Sequence, residues 1–386
     1  MPTPVDPSLI FQSRYGHAPE AVVRAPGRVN LIGEHTDYNH GYVFPAALEF
    51  DIRIAMAPRD DRQVRAYAES YGQESLFRLD SVVRSDAEPW SNYVRGVAFV
   101  LAEAGYALAG MDAVVVGTVP VGSGLSSSAA FEMAACWAFE LASGIQIDPV
   151  QRAVLCQRAE NRFVGMNCGI MDQFISSLGK ANHALFIDTH SLEFRPVPLP
   201  TGGVTLVITN TNRPHELVKS AYNERRAECE RAVELLRPEM PGLEFLRDVS
   251  EARFDELKGL LPDPIVRRAK HVVTEDERVL QAIRVLEAGD VAAFGELMTA
   301  SHRSLRDDYE VSCPELDALV AAALTVEGVY GSRMTGAGFG GCTVSLVADA
   351  AVPEFQGRVR RAYTRATCLE PSFYVCRAAE GASRIA

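Results

Sequence analysis

"DAVVVGTVPVGSGLSSSAAFEMAACWAFELASG", residues 112–144, runs from a β-branched segment through two glycines and four serines into a helical pattern. Residues 112–120 form a short, nearly continuous apolar run of the kind that makes a strand. Beyond the loop Ala129, Ala130, Met133, Cys136, Trp137 and Leu141 recur at helical spacing until Gly144 ends the pattern. Glycine lets a ligand approach the backbone closely, and amides at a helix start present positive partial charge to phosphate oxygens. The segment Gly122, Ser123, Gly124, Leu125, Ser126, Ser127 and Ser128 therefore reads either as a phosphate cradle or as a well-capped helix entry.

Two familiar phosphate motifs are excluded. No G-x-x-x-x-G-K-[ST] occurs. "GAGFGG" (336–341) satisfies G-x-G-x-x-G but leads into "CTVSLV", a strand-like run where a dinucleotide fold needs a helix. It reads as a turn that brings backbone close to something else.

Outward from this core, "AVVRAPGRVNLIG" and "FDIRIAMAP" are expected strands, as are "HALFIDT", "CTVSLVA" and "SFYVCRA". "DPVQRAVLCQRAENRFVG" is a helix that Asp148 caps, with Pro149 in its first turn and Gly165 as a left-handed stop. Further helices are expected from near His215, Pro264 and Asp290, and Ser312 with Glu315 makes a capping-box pattern around Pro314. The picture is a mixed α+β chain in two closely packed halves, divided near residue 190.

The 386 residues suffice for two domains, and 47% hydrophobic with 23% charged residues is ordinary for a soluble protein. No apolar run approaches the ~18 residues of a spanning helix, and the start "MPTPVDPSLIFQSRYG" has no signal-peptide character, so a cytoplasmic location is expected. The eight cysteines lack C-x-x-C pairs and read as reduced thiols. A net charge of -12 without a basic stripe argues against nucleic acid, although local amides and a metal ion still allow a small anionic ligand.

"GRVNLIGEHTDYNHGYVFP" (27–45) concentrates Arg28, Glu34, His35 and Asp37 where a strand gives way to a loop. A sugar site, a metal site and a polar turn are the alternatives. His35, Asp37 and His40 lack a second ligand cluster for zinc or manganese, whereas carboxylates and an imidazole suit adjacent hydroxyls. Asp172 in "GIMDQF" is by frequency an N-cap, Glu160 sits near a helix end, and Arg28 could be a surface ion-pair donor. Tyr222 falls on the stripe Val218, Tyr222, Cys229, Val233 and reads first as core.

Taken together these stretches resemble the small-molecule kinases named for galactokinase, homoserine kinase, mevalonate kinase and phosphomevalonate kinase, the GHMP kinases. "GRVNLIGEHTDY" resembles the signature of the galactokinase branch, "PVGSGLSSSAA" the ATP-binding motif of the wider family and "GAGFGG" its third motif. The likeness continues through "CGIMDQF", "ITNTNRPHELVKSAYNERRAEC" and "LRDDYEVSCPELD"; His40 departs from it, where a small residue is more usual.

The resemblance implies an N-terminal domain (1–190) with a mixed sheet, a C-terminal ferredoxin-like α+β domain (191–386) and an active site between them. It implies transfer of the γ-phosphoryl group of ATP to the C1 hydroxyl of α-D-galactose, giving galactose 1-phosphate and ADP, the first phosphorylation of galactose metabolism. Residue by residue, it implies that Glu34, His35, Asp37, Gly169, Asp172 and Tyr222 bind the sugar and that residues 122–128 hold the nucleotide. Ser128 and Glu160 would contact Mg²⁺, with Asp172 as base and Arg28 beside it. Galactose and ATP are the expected partners, with no nucleic acid or membrane, and a monomer is expected. An N-acetylgalactosamine kinase and a non-catalytic galactose sensor are the rival readings.

Overall fold

The computed structural model describes residues 5–120, 123–200, 202–213 and 218–386. Gly122 and His215 lie outside the described residues. The run that opened the reading forms the strand Gly110–Gly117, fourth in a six-stranded sheet. The sheet order is Ser383–Arg384, Ala21–Asn30, Pro45–Arg59, Gly110–Gly117, Gln63–Ala68 and Gln73–Arg78. Its pairings are antiparallel except Gln63–Ala68 with Gly110–Gly117, so the sheet is mixed as expected. On one face the helix Ser127–Ser143 packs Ala130, Met133 and Phe139 into the main core. On the other, Phe11 of the helix Pro7–Tyr15 meets Val22, Ala55, Val114 and Val116. Coverage on both faces is why residues 113–116 read as continuously rather than alternately apolar.

A second sheet, in the order Val329–Thr335, Cys342–Ala348, Val204–Asn210 and Ser372–Cys376, is wholly antiparallel. Val207 and Val347 face the helices Pro314–Ala323 and Val352–Thr367 through Leu319, Phe355 and Val359. Leu206, Ile208, Val344 and Leu346 join the main core on the opposite side, so one apolar mass underlies both sheets. The strands His183–Asp188 and Phe194–Pro198 form a small third sheet with Tyr42–Val43.

Local signals were mostly obeyed. Asp148 caps Pro149–Ala159 by accepting from Val150 N at 3.0 Å and Gln151 N at 3.2 Å. The helix does not end there: it widens into a π turn, Glu160–Val164, which Gly165 closes at φ 84°. The capping box at Ser312 is not formed. Cys313 occupies the cap position of Pro314–Ala323 without a side-chain cap; Ser312 Oγ instead donates to Asp317 at 2.5 Å, and Glu315 accepts from Arg213 at 2.6 Å. For Glu315 a charged donor takes the place of the backbone amide.

"GAGFGG" is the turn of the hairpin joining Val329–Thr335 to Cys342–Ala348, and no helix follows it. Gly336 has φ 87°, and a Cβ there would stand 3.0 Å from Gly124 O, so the hairpin tip rests on the serine loop. Below the hairpin, Gly295 of the helix Val291–Asp307 lies directly on Tyr330 and Gly331, and a Cβ on Gly295 would overlap the Tyr330 carbonyl. This contact sets the height of the strand that carries Arg333 and Thr335. Gly295→Ala is therefore expected to destabilise the protein by about 1–3 kcal/mol through overpacking, read as a lower denaturant midpoint at unchanged m. An unchanged midpoint would show that the helix lifts without cost.

Candidate active site

Arg28 ends the first long strand with its guanidinium buried, and its neighbours explain how such a charge is tolerated. Nε and Nη2 donate to the two oxygens of Asp172 at 2.8 and 3.0 Å, and Nη1 donates to Gly124 O at 2.6 Å. Burial opposes the Arg28 charge, but Asp172 and Glu34 hold its pKa above the ordinary value. Asp172 is not an N-cap. It is the second residue of Met171–Leu178, Ile170 precedes the helix without a side-chain cap, and Ser126 also donates its hydroxyl to Asp172. Ser126 adopts φ 59°, a left-handed conformation uncommon for serine, and this turns the chain into Ser127–Ser143.

The loop after Asn30 supplies the next three groups. Glu34 is buried 3.0 Å from Nη2 of the fully buried Arg333, which also donates to Asn30 O at 2.9 Å. Burial raises the Glu34 pKa to about 7, with Arg333 and Arg28 pulling the other way. His35 has φ 63°, and its Nδ1 lies 2.9 Å from the Tyr38 hydroxyl. Burial depresses its pKa to about 3, so the ring is neutral. Asp37 is raised to about 6, first by burial and then by Asp172. Gly169 is pressed against it, and a Cβ there would overlap the Asp37 carboxylate. Tyr222 is buried, as a core residue would be, but its ring stands 5.6 Å from His35 and 5.1 Å from Tyr38 and lines the cleft.

Glu160 opens the π turn and is buried rather than solvated. Gln173 Nε2 donates to it at 2.5 Å and reaches Glu132 at 3.2 Å. Burial raises Glu160 to about 7, while the Ser128 hydroxyl favours the ionised form. Ser128 and Glu132 share one face of their helix at i, i+4, and burial, then Glu160, pushes Glu132 well above the carboxylate range. Glu132 was not anticipated; its signal was an acid inside the apolar run "AAFEMAAC".

Arg28, Glu34, His35, Asp37, Ser128, Glu160, Gly169, Asp172 and Tyr222 thus line one cleft, closed by Gly336 and Ala337 of the hairpin, with about 580 Å³ of free space partly open to solvent. The rest of the serine loop divides its roles. Ser123 donates back to Pro120 O at 2.6 Å, Leu125 is buried in the core, and Ser127 lines a second cavity.

This second cavity adjoins the first at Ser128 and is walled by Tyr71, Trp90, Tyr93 and Phe131. The Tyr71 and Trp90 rings are within 10° of parallel at 6.3 Å between centroids. Sequence reasoning missed all four. Their one signal was Trp90, one of two tryptophans in the chain, placed just before a helix. All eight cysteines are unpaired.

Two family models match the two halves of this architecture: the GHMP kinases N terminal domain over residues 92–180 and the GHMP kinases C terminal over 282–365. A mevalonate kinase from Methanococcus jannaschii shares the fold at TM-score 0.65 and 17% identity, over 93% of this chain and 98% of that one. Fold and cleft together define a small-molecule kinase of the GHMP class. The galactokinase galactose-binding signature matches residues 10–58. A galactokinase from Roseiflexus sp. (strain RS-1) is 50% identical over 97% of this chain and 95% of its own, and one from Chloroflexus aggregans is 48% identical over the same shares. The Lactococcus lactis galactokinase solved with galactose superposes at TM-score 0.95 and 38% identity, covering 98% of both chains. The chain belongs to the galactokinase family.

The raised carboxyls make the cleft respond to pH in an unusual direction. A carboxyl whose folded pKa lies above its unfolded value binds its proton more tightly when folded, so its contribution is fullest at low pH and is lost as pH rises through the folded pKa. For Glu34 the window runs from 4.5 to about 7. Relative to the parent, Glu34→Gln should gain stability across that window by on the order of 3 kcal/mol and show no further change above it. Denaturant titrations at several pH values measure this, and a difference that is flat with pH would reject the assignment.

Proposed function

We propose that this chain transfers the γ-phosphoryl group of ATP to the C1 hydroxyl of galactose. The observation that carries the reading is Asp172, held by Arg28 and Ser126 at the junction of the serine loop with the Glu34, His35 and Asp37 set. One side of that junction suits an anion and the other a polyol.

In this reading the sugar occupies the cleft beneath the hairpin. Glu34 and Asp37 accept hydroxyl protons, the His35 ring contributes a polar edge, and the Tyr222 ring and Gly169 backbone bound the pocket. The nucleotide lies across the loop, its base between the aromatic walls of the second cavity and its phosphates on the amides that open Ser127–Ser143. Ser128 links the two cavities, so the terminal phosphate falls beside Asp172.

Ser128 and Glu160 are hard oxygen donors facing one another, with the carboxyl of Glu132 behind, a set that suits a Mg²⁺ ion using few protein ligands. When bound there, Mg²⁺ supplies positive charge to the phosphate oxygens. Gln173 fixes the Glu160 carboxylate for this role.

Phosphoryl transfer asks mainly for alignment and charge neutralisation. Asp172 orients the C1 hydroxyl and takes its proton, while Arg28 locks the carboxylate through both oxygens and adds positive charge near the transferring group. Asp172→Asn is expected to keep the fold and galactose binding while lowering kcat by about 10²–10⁴-fold. ADP release with Mg²⁺ over galactose, glucose and N-acetylgalactosamine tests the whole reading, and near-parental turnover of the variant would remove Asp172 from its role. Trp90→Ala should raise KM for ATP by about tenfold or more and leave KM for galactose unchanged, as the loss of an aromatic wall worth 1–3 kcal/mol requires. Equal effects on both constants would separate the nucleotide from this cavity.

A further inference from the structure

His35 ends a buried row of polar groups to which no part has yet been assigned. Its Nδ1 lies 2.9 Å from the Tyr38 hydroxyl, that hydroxyl lies 2.6 Å from the Tyr309 hydroxyl, and this in turn lies 3.1 Å from Cys229 Sγ. Tyr38 belongs to the sugar loop, Tyr309 follows the helix Val291–Asp307, and Cys229 sits on Val218–Leu236. Tyr309 and Cys229 are at most 1% exposed. Arg225 holds the Tyr309 backbone by donating to its carbonyl at 2.9 Å, and the His271 ring packs 4.5 Å from the phenol. At the other end His35 Nε2 is buried in the cleft wall and makes no hydrogen bond of good geometry among the described residues, while the Ala337 backbone beside the ring favours a proton on it.

Each hydroxyl and the thiol bring one proton, so the row is relayed from end to end in only two directions, any other arrangement leaving a buried phenol proton without an acceptor in the row. Towards the imidazole, Cys229 donates to Tyr309, Tyr309 to Tyr38 and Tyr38 to Nδ1, leaving Nε2–H facing the cleft. In reverse, Nδ1–H donates to Tyr38 and the last phenol donates to sulfur, leaving Nε2 bare. The two differ at their ends. Neutral imidazole nitrogen is a good acceptor and thiol sulfur a weak one, so the first direction matches the stronger donors with the stronger acceptor. The ring is neutral, and only its tautomer is at stake.

We infer that Tyr38, backed by Tyr309, fixes His35 as the Nε2–H tautomer, which makes His35 a donor-only contact that selects a sugar oxygen lone pair. The inference rests on the reading of this cleft as the sugar site. It gives the pocket a division of labour: Glu34 and Asp37 take hydroxyl protons, and His35 requires an acceptor. Tyr38 and Tyr309 are positioning residues and touch no substrate.

The test is nitrogen NMR of the free, histidine-labelled protein, with the His35 signals assigned by their loss in His35→Gln. The parent should show a protonated Nε2 and an unprotonated Nδ1. Tyr309→Phe, which leaves Tyr38 as donor, should keep that pattern; Tyr38→Phe should lose it and weaken galactose binding by about tenfold. Monodeoxy and deoxyfluoro galactoses supply the second readout, because fluorine keeps an acceptor that hydrogen does not. At one ring position the fluoro sugar should bind the parent about tenfold more tightly than the deoxy sugar, and equally in Tyr38→Phe. A protonated Nδ1 in the parent, an unchanged pattern in Tyr38→Phe, or no fluoro preference at any position would overturn the inference. Absence of ADP release with every sugar would instead sink the kinase reading and leave the tautomer result standing.

Discussion

The two-pronged ion pair between Arg28 and Asp172 is the constraint from which the cleft is built. A buried guanidinium must be neutralised and its donors filled, and a carboxylate presented edge-on does both. Because Arg28 also donates to Gly124 O, the strand Ala21–Asn30, the serine loop and the helix Met171–Leu178 are tied at one side chain. None of the three could shift without stranding a charge. The pair thus holds the Asp172 carboxylate firmly at the cleft: its orientation follows from the need to satisfy the arginine.

Around that pair the cleft is crowded with acids. Glu34, Asp37, Glu132 and Glu160 are all buried enough for their protons to be retained more strongly than usual, and Arg28 and Arg333 are the cations the cleft sets against them. In the proposed reading a polyol would bring hydroxyl donors that favour ionised carboxylates and a divalent cation would do the same for Glu160, coupling ligand binding to proton release. In the same reading an acidic chain with a net charge of -12 can still take a triphosphate, because amides at a helix start and not lysines would supply the positive potential.

What the sequence made legible divides along the range of the interactions. The strand, loop and helix of 112–144 were readable because continuous β-branched residues, glycine and serine punctuation and helical spacing are local signals, and Asp148 and Gly165 marked their helix for the same reason. Local frequency favours a cap for Asp172 and a surface ion pair for Arg28, and only the resemblance set the two side by side, because the partner of each lies 144 residues away. Ser312 failed as a cap because the helix begins one residue later, with Cys313 in the cap position and the Ser312 hydroxyl turned to Asp317. Arg333 was invisible for a similar reason, since nothing in "GSRMTG" announces a buried cation whose partners are Glu34 and the Asn30 carbonyl. The aromatic cavity is assembled from Tyr71, Trp90 and Phe131, three segments with no shared pattern.

The hairpin shows how the far half of the chain enters the chemistry. Thr335 accepts from Asn30 N at 3.0 Å and donates to Asn30 O at 3.1 Å, directly beside the Arg333 contact, so the second sheet grips the first long strand one turn of chain away from Arg28. Gly336 then lays the turn on Gly124, whose carbonyl Arg28 holds from the other side. The serine loop is therefore fixed between a cation and a backbone ridge. In-line transfer tolerates little error, and a misplacement of about 1 Å can cost a hundredfold in rate. Glycine at 336 is what allows the ridge to come this close, which is why a turn that resembles a nucleotide fingerprint is needed here without contacting a dinucleotide.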